Sequence, residues 1–400
     1  MDLYDPAGYV RTAPHEEFAF LRSDDPVHWQ ATPDGSGYWA VLRHADVVHV
    51  ARSPEQFSAS LGGVVLEDLP PETLAMMRHM LLAMDPPAHG DHRRPLATSF
   101  TARVIGGMEE RIRAICRSIL AGVESGRAVD FVHDVCALLP AQVVGELMGL
   151  PPGDWPRLQR WAEQQTGGQD EEVAGGAGEG GSDTASASIE MAMYAIGFAA
   201  RRRSLPAQDD LTSLILGADF GTEPMSDIDF GSFFVQLVTA GNDTTKTMLS
   251  SGMLALLEHP DQLQELRSHP EAIPGAVEEI LRWANPLHYF RRTATRDTRI
   301  GDTAIAAGDK VAMVYTSANR DEAVFADPQR FDIHRTPNPH LSFGIGPHFC
   351  LGAHLARLEG RVFFEEVLAT FSSIELVGEP VRVRSNLNNG LRALPLVLRR

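Results

Sequence analysis

Apolar positions along this chain recur mostly at helical spacing, with a few short alternating runs. Residues 27–30 and 38–42 alternate as strands do around Pro33, Asp34, Gly35, Ser36 and Gly37, and so predict a hairpin. A helix over 44–51 follows and ends before Ser53 and Pro54. From 104 to 150 the period is helical, broken near Gly126 and stopped at Pro151 and Pro152. Helical character returns over 189–203, and Asp209, Asp210 and Leu211 open a further segment. The longest apolar helical stretch is 227–258, while 310–315 reads as a strand. The pattern as a whole predicts a mainly α fold with a small β portion.

Two stretches depart from the pattern. Inside the long helix stand Ala240, Gly241, Asn242, Asp243, Thr244 and Thr245. Glycine and paired threonines are poor choices there, because hydroxyls compete for backbone carbonyls. A tolerated polar patch is the ordinary explanation, but a local conflict inside a consistent helix also marks functional sites. Residues 166–188 carry seven glycines with acids and small polar residues, and no apolar face. No second set of motifs follows. The stretch therefore predicts an insert within one domain spanning 1–400, either a passive loop or a lid over a pocket.

Composition narrows the class. The 400 residues are 44% hydrophobic and 22% charged, as expected of a globular chain able to bury a large core. Thirty-five basic against 53 acidic residues give a net charge of −18, which argues against a nucleic-acid partner. No stretch reaches the ~20 apolar residues of a membrane span, and no charged leader precedes an apolar run at Met1. Cys116, Cys136 and Cys350 form no CxxC pair or even framework, which fits a reducing cytoplasm. The first two lie on helical segments and read as core residues.

Cys350 is different. Phe343, Gly344, Ile345, Gly346, Pro347, His348 and Phe349 precede it, Leu351 and Gly352 follow, and then the sequence turns helical. A helix N-terminus aimed at sulfur favours the thiolate, the form that acts as nucleophile or metal ligand. Gly344 and Gly346 permit positive φ or close backbone approach, and Pro347 stiffens the loop.

This decapeptide resembles, nearly letter for letter, the haem-binding loop of the cytochromes P450. The resemblance extends over essentially the whole chain, with four signatures in order, and it implies a P450 fold with haem b held by Cys350 as proximal thiolate. It places Phe343 and Gly344 in the haem loop. The Ala240–Thr245 segment is similar to the family's oxygen-binding turn, which implies haem contacts at Ala240 and Gly241 and proton delivery by Asp243 and Thr244. His89 and Arg93, four apart on one helical face, resemble propionate ligands. His348 does likewise, as does Arg292, with Arg291 adjacent as the competing register. Glu279 and Arg282 resemble the family's Glu-x-x-Arg pair, with Arg330 as the expected third member, a structural set.

The implied activity is monooxygenation of an apolar small molecule by O2, with electrons from a separate ferredoxin and ferredoxin reductase in a cytoplasmic monomer. A steroid, terpenoid or branched lipid is the favoured substrate. Tailoring of a polyketide or peptide product, a haem-thiolate isomerase or dehydratase, and a non-catalytic haem sensor are the alternatives. Arg357, with Arg93 and Arg94, is the expected docking face for an acidic ferredoxin.

Overall fold

The computed structural model describes residues 2–166, 180–218 and 225–400. Most of the expected insert, 167–179, lies outside the described residues, so the lid expectation is not addressed by them. At its far edge the helix expected from 189 reaches back to Gly180, as Gly180–Arg203.

The helix Asp227–Glu258 organises the rest. Ser226 caps it: its hydroxyl accepts from the Asp229 N–H (3.1 Å) while the Asp229 carboxylate accepts from the Ser226 N–H (3.3 Å). At 32 residues it spans ~48 Å. It packs against Leu138–Leu147, Trp155–Thr166, Gly180–Arg203, Ile273–Ala284 and Ala353–Thr370. So many neighbours bury it nearly all round, which explains an apolar run without a polar face. Gly241 and Gly252 are the close-approach points. A Cβ at Gly252 would stand 2.7 Å from Ile280 and 2.9 Å from Phe364.

The β portion lies to one side. Val27–Ala31 and Gly37–Val41 pair as the expected hairpin. Gly37–Val41 then runs parallel to Lys310–Val314. Tyr289–Ala294 and Phe57–Ser58 complete this five-stranded sheet. In a second sheet Ala128–Asp130 and Ser373–Leu376 flank Pro395–Arg399. The strand Ala128–Asp130 was not expected within the helical 104–150 region. It is three residues long and exists through pairing with a segment far along the chain. Cys116 and Cys136 are buried in the main core, as their helical positions implied.

Candidate active site

The cysteine loop is shaped by its glycines. Gly344 and Gly346 take φ of +65° and +76°, a region that L side chains avoid. A Cβ at Gly346 would also meet the carbonyl oxygen of Ala51 at 2.7 Å, so only glycine lets the loop lie on the helix His44–Arg52. The Cys350 N–H donates to the Phe343 carbonyl (2.8 Å) and closes the loop. The sulfur opens into a cavity beside the start of Ala353–Thr370, where the Gly352 N–H donates to it. Burial pushes the thiol pKa up, opposed by that N–H and by the Arg93 and Arg357 guanidiniums. A cation seated on the sulfur would draw it to the thiolate.

The cavity, of about 250 Å³, lies between the central helix and this loop. Ala240, Gly241 and Thr244 line one wall; Phe343, Gly344, Cys350 and Leu355 line the other. Apolar side chains such as Val64, Leu81, Phe100, Val144 and Phe290 form much of the remainder. The central helix is unbroken here. Thr244 donates its hydroxyl back to the Ala240 carbonyl (2.6 Å), and the Asn242 amide donates to the Val238 carbonyl (2.6 Å). The hydroxyl competition legible in the sequence is thus real, and it occurs on the cavity wall.

At one end of the cavity stand His89, Arg93, Arg292 and His348. The two imidazole rings lie 4.2 Å apart. Burial and the arginines lower the His89 pKa to about 4, and burial with Arg292 and His89 depresses that of His348 further. Arg292 is buried and donates to the Arg291 carbonyl (2.8 Å). The buried His89 Nε2 has no partner among the described residues. The nearby Asp85 carboxylate accepts from the Ala59 N–H (2.8 Å) and the Ser60 hydroxyl (2.7 Å) instead of pairing with this group. Arg292 is thus a buried cation with no paired anion among the described residues, which is costly, and the neutral imidazoles add hydrogen-bonding groups, so the cluster fits a ligand bringing its own carboxylates. The two propionates of a haem, which Cys350 would ligate, would meet that requirement. Of the two adjacent arginines Arg292 lines the cavity, whereas Arg291 turns to Asp68 (3.1 Å) and the 65–67 carbonyls.

Asp243 and Thr244 are brought to different surroundings. Thr244 faces the cavity; Asp243 is buried beside it but does not line it. The Asp243 carboxylate pairs with Lys246 (2.6 Å) and accepts from the Asn388 amide (2.5 Å). Burial works against the Lys246 charge, but Asp243 outweighs it and raises the Lys246 pKa. Lys246 was visible as an i,i+3 partner of Asp243; Asn388, 145 residues away, was not.

The structural set needs one correction. Glu279 and Arg282 form a fully buried bidentate pair, with both contacts at 2.7 Å. The guanidinium completing it is that of Arg335, 3.2 Å from Glu279. Arg330 is exposed and gives its backbone carbonyl to Arg282 (3.1 Å) and Arg335 (2.8 Å). The loop turns at Asp327, in a positive φ of 46°, and brings Arg335 round in place of Arg330. Arg357 is also committed: it pairs with Glu278 (2.7 Å) and lies over the Phe343 ring (4.5 Å).

Sequence reasoning missed Glu359. This carboxyl, nine residues past the cysteine, reaches the cavity lining; its Oε2 is buried with no partner among the described residues, and burial raises its pKa to about 8.

The cytochrome P450 family model matches residues 198–391. The chain is 38% identical to the steroid C26-monooxygenase of Mycolicibacterium smegmatis, covering 98% of this chain and 92% of the relative. It is 36% identical to the linalool 8-monooxygenase of Pseudomonas putida, covering 99% and 98%. Among solved structures, the Mycobacterium marinum cytochrome P450 CYP268A2 in complex with pseudoionone superposes with a TM-score of 0.93 at 36% identity, covering 99% of this chain and 98% of that one.

Proposed function

Because the chain belongs to the cytochrome P450 family, and so is a haem-dependent monooxygenase, we propose that it hydroxylates an elongated terpenoid, steroid or branched lipid as a single-domain enzyme carrying haem b. Electrons reach it from a separate ferredoxin and its reductase. The observation that carries the reading is the cavity itself. Cys350, four basic groups with no acidic partner among the described residues, and a largely apolar wall that includes Thr244 and Thr245 share it.

Bound haem supplies O2 activation, the thiolate pushing electron density toward O–O cleavage. Cys350 would ligate the iron, with the Gly352 N–H holding the sulfur in place. His89, Arg93, Arg292 and His348 would hold the propionates. The apolar wall excludes bulk water from the reacting carbon. Thr244 Oγ1 carries the proton nearest the reaction. At rest that proton goes to the Ala240 carbonyl, so the hydroxyl rotates inward to deliver it. Asp243, once released from Lys246 and Asn388 and protonated from solvent, would resupply it, as an acid beside a hydroxyl can.

The test combines spectroscopy with coupling. The reduced carbonyl complex should show the red-shifted Soret band of thiolate-bound haem, lost in Cys350→Ser and kept in Cys116→Ser. Linalool, pseudoionone and a steroid panel should give low-spin to high-spin shifts. Oxygen uptake with ferredoxin and reductase should yield hydroxylated product. A histidine-type carbonyl spectrum would overturn the cysteine assignment. Product formation without O2 would overturn the hydroxylase reading.

A further inference from the structure

The cavity face of the central helix runs from Phe233 through Gln236 and Ala240 to Thr244 at helical spacing. Upstream of Ala240 this helix and the turn Leu81–Ala83 send Phe233, Gln236, Leu237, Leu81 and Leu82 to the cavity. Of these, Gln236 alone carries hydrogen-bonding atoms. Its Oε1 makes a long contact with the Leu82 N–H (3.5 Å), and its Nε2 donates to no group among the described residues. A leucine would meet the helical and apolar demands of the position equally well.

An apolar ligand that displaces water from this wall leaves the amide donor unpaired unless it brings an acceptor. The amide has no net charge and so matches a carbonyl or hydroxyl oxygen. Gln236 and Thr244 are eight residues apart, ~12 Å along the helix axis. We propose that Gln236 is a specificity-determining residue. It donates to the oxygen of a ketone or alcohol group lying ~12 Å from the carbon that reacts beside Thr244. The inference rests on the reading of this cavity as a monooxygenase substrate pocket, and it narrows the substrate to an elongated apolar molecule already bearing one oxygen. The reaction supplying such a substrate is an earlier hydration or oxidation at its far end.

The experiment compares 2-undecanone, 2-undecanol and undecane, similar in length and differing in the terminal oxygen, on the haem-loaded enzyme. Calorimetry gives the affinities, and the carbonyl resonance of [2-13C]-2-undecanone reports hydrogen bonding directly. Wild-type protein should bind the ketone about 3- to 10-fold more tightly than the hydrocarbon, the usual range for one neutral hydrogen bond. The carbonyl resonance should move downfield on binding. Gln236→Leu should abolish both the preference and the shift, with undecane bound more tightly than by wild type because no amide is left unpaired. Gln236→Glu, which when ionised has no N–H to donate, should favour the alcohol over the ketone. Oxidation of the ketone should fall at the end remote from the carbonyl, and scatter along the chain in Gln236→Leu. Equal binding of all three by wild type, or an unmoved carbonyl resonance, would overturn the anchor. A missing thiolate band in the carbonyl spectrum would sink the monooxygenase reading instead, and is seen before any ligand is added.

Discussion

Glu359 couples folding to pH through one buried carboxyl. Its folded pKa, about 8, lies above the ordinary 4.5. Below 4.5 it is protonated in both folded and unfolded chains and contributes no pH dependence. As pH rises toward 8 the unfolded chain releases the proton first, so the folded state loses stability across that window and then levels off. Glu359→Gln removes the slope. Thermal melts should show the variant more stable than wild type at pH 8, by on the order of a few kcal/mol, and little different at pH 4.5. A parallel pair of stability–pH curves would refute the buried neutral carboxyl. Arg335 and Arg330 offer a second residue-scale comparison. Arg335→Ala uncovers one side of a fully buried Glu279 and should cost roughly 2–4 kcal/mol. Arg330→Ala removes an exposed side chain and should stay within about 0.5 kcal/mol. At Thr244, alanine should leave haem binding intact while more of the consumed NAD(P)H ends as peroxide; unchanged coupling would remove Thr244 from proton delivery. The cysteine loop, Thr244 and each member of the basic cluster were legible because they sit in short motifs that resemble the family's, and that resemblance is what pointed to them in the sequence. Arg335 and Asn388 were not, since only the tertiary path of the chain brings them to Glu279 and Asp243.

At the scale of elements, the central helix shows what local pattern does and does not encode. Its boundaries were readable because Ser226 and Asp229 cap it and the apolar run is long. What packs on it was not readable, because a helix buried all round has no face to name its neighbours. Gly252 marks the tightest of those contacts with the helix Ile273–Ala284 and with Ala353–Thr370. Alanine there gains ~1 kcal/mol of helix propensity but overpacks Ile280 and Phe364, at ~1–3 kcal/mol. Gly252→Ala should therefore lower the melting temperature. Gly106→Ala, where a Cβ meets nothing within 4 Å, should raise it. Denaturant midpoints moving in the same direction for both would mean that the helix does not sit as closely as described. The strand Ala128–Asp130 fails in the opposite sense. Three residues hold too little pattern to be read, and pairing with Pro395–Arg399 supplies the rest.

For the whole molecule, a charge of −18 sets the problem of admitting an acidic electron donor. If the donor is an acidic ferredoxin docking near the cysteine loop, cations placed locally there would have to offset long-range repulsion. Arg357 is poorly suited to that role, since Glu278 neutralises it and the Phe343 ring covers it. Arg357→Glu would set two carboxylates against each other, with Glu278 already held at a pKa of about 2 by His340 and Arg357 against the cost of burial. A slower electron transfer in that variant would report damage to the loop as readily as lost docking. The helix Ala88–Ala97 offers a cleaner probe. Arg93 donates to the carbonyl of Phe349, next to Cys350, so this helix abuts the loop. On it, Arg94 has 77% of its side chain exposed and, among the described residues, pairs only with the partly exposed Asp91. Exposed pairs of that kind contribute little to stability, so Arg94→Glu should fold normally with its carbonyl spectrum unchanged. If an acidic ferredoxin docks here, the second-order rate of first electron transfer should fall several-fold near 0.01 M salt. The deficit should shrink as salt approaches 1 M, where the screening length drops to about 3 Å. A rate unaffected at low salt would move the docking face away from this helix, and a deficit independent of salt would make it a matter of contact geometry instead of steering.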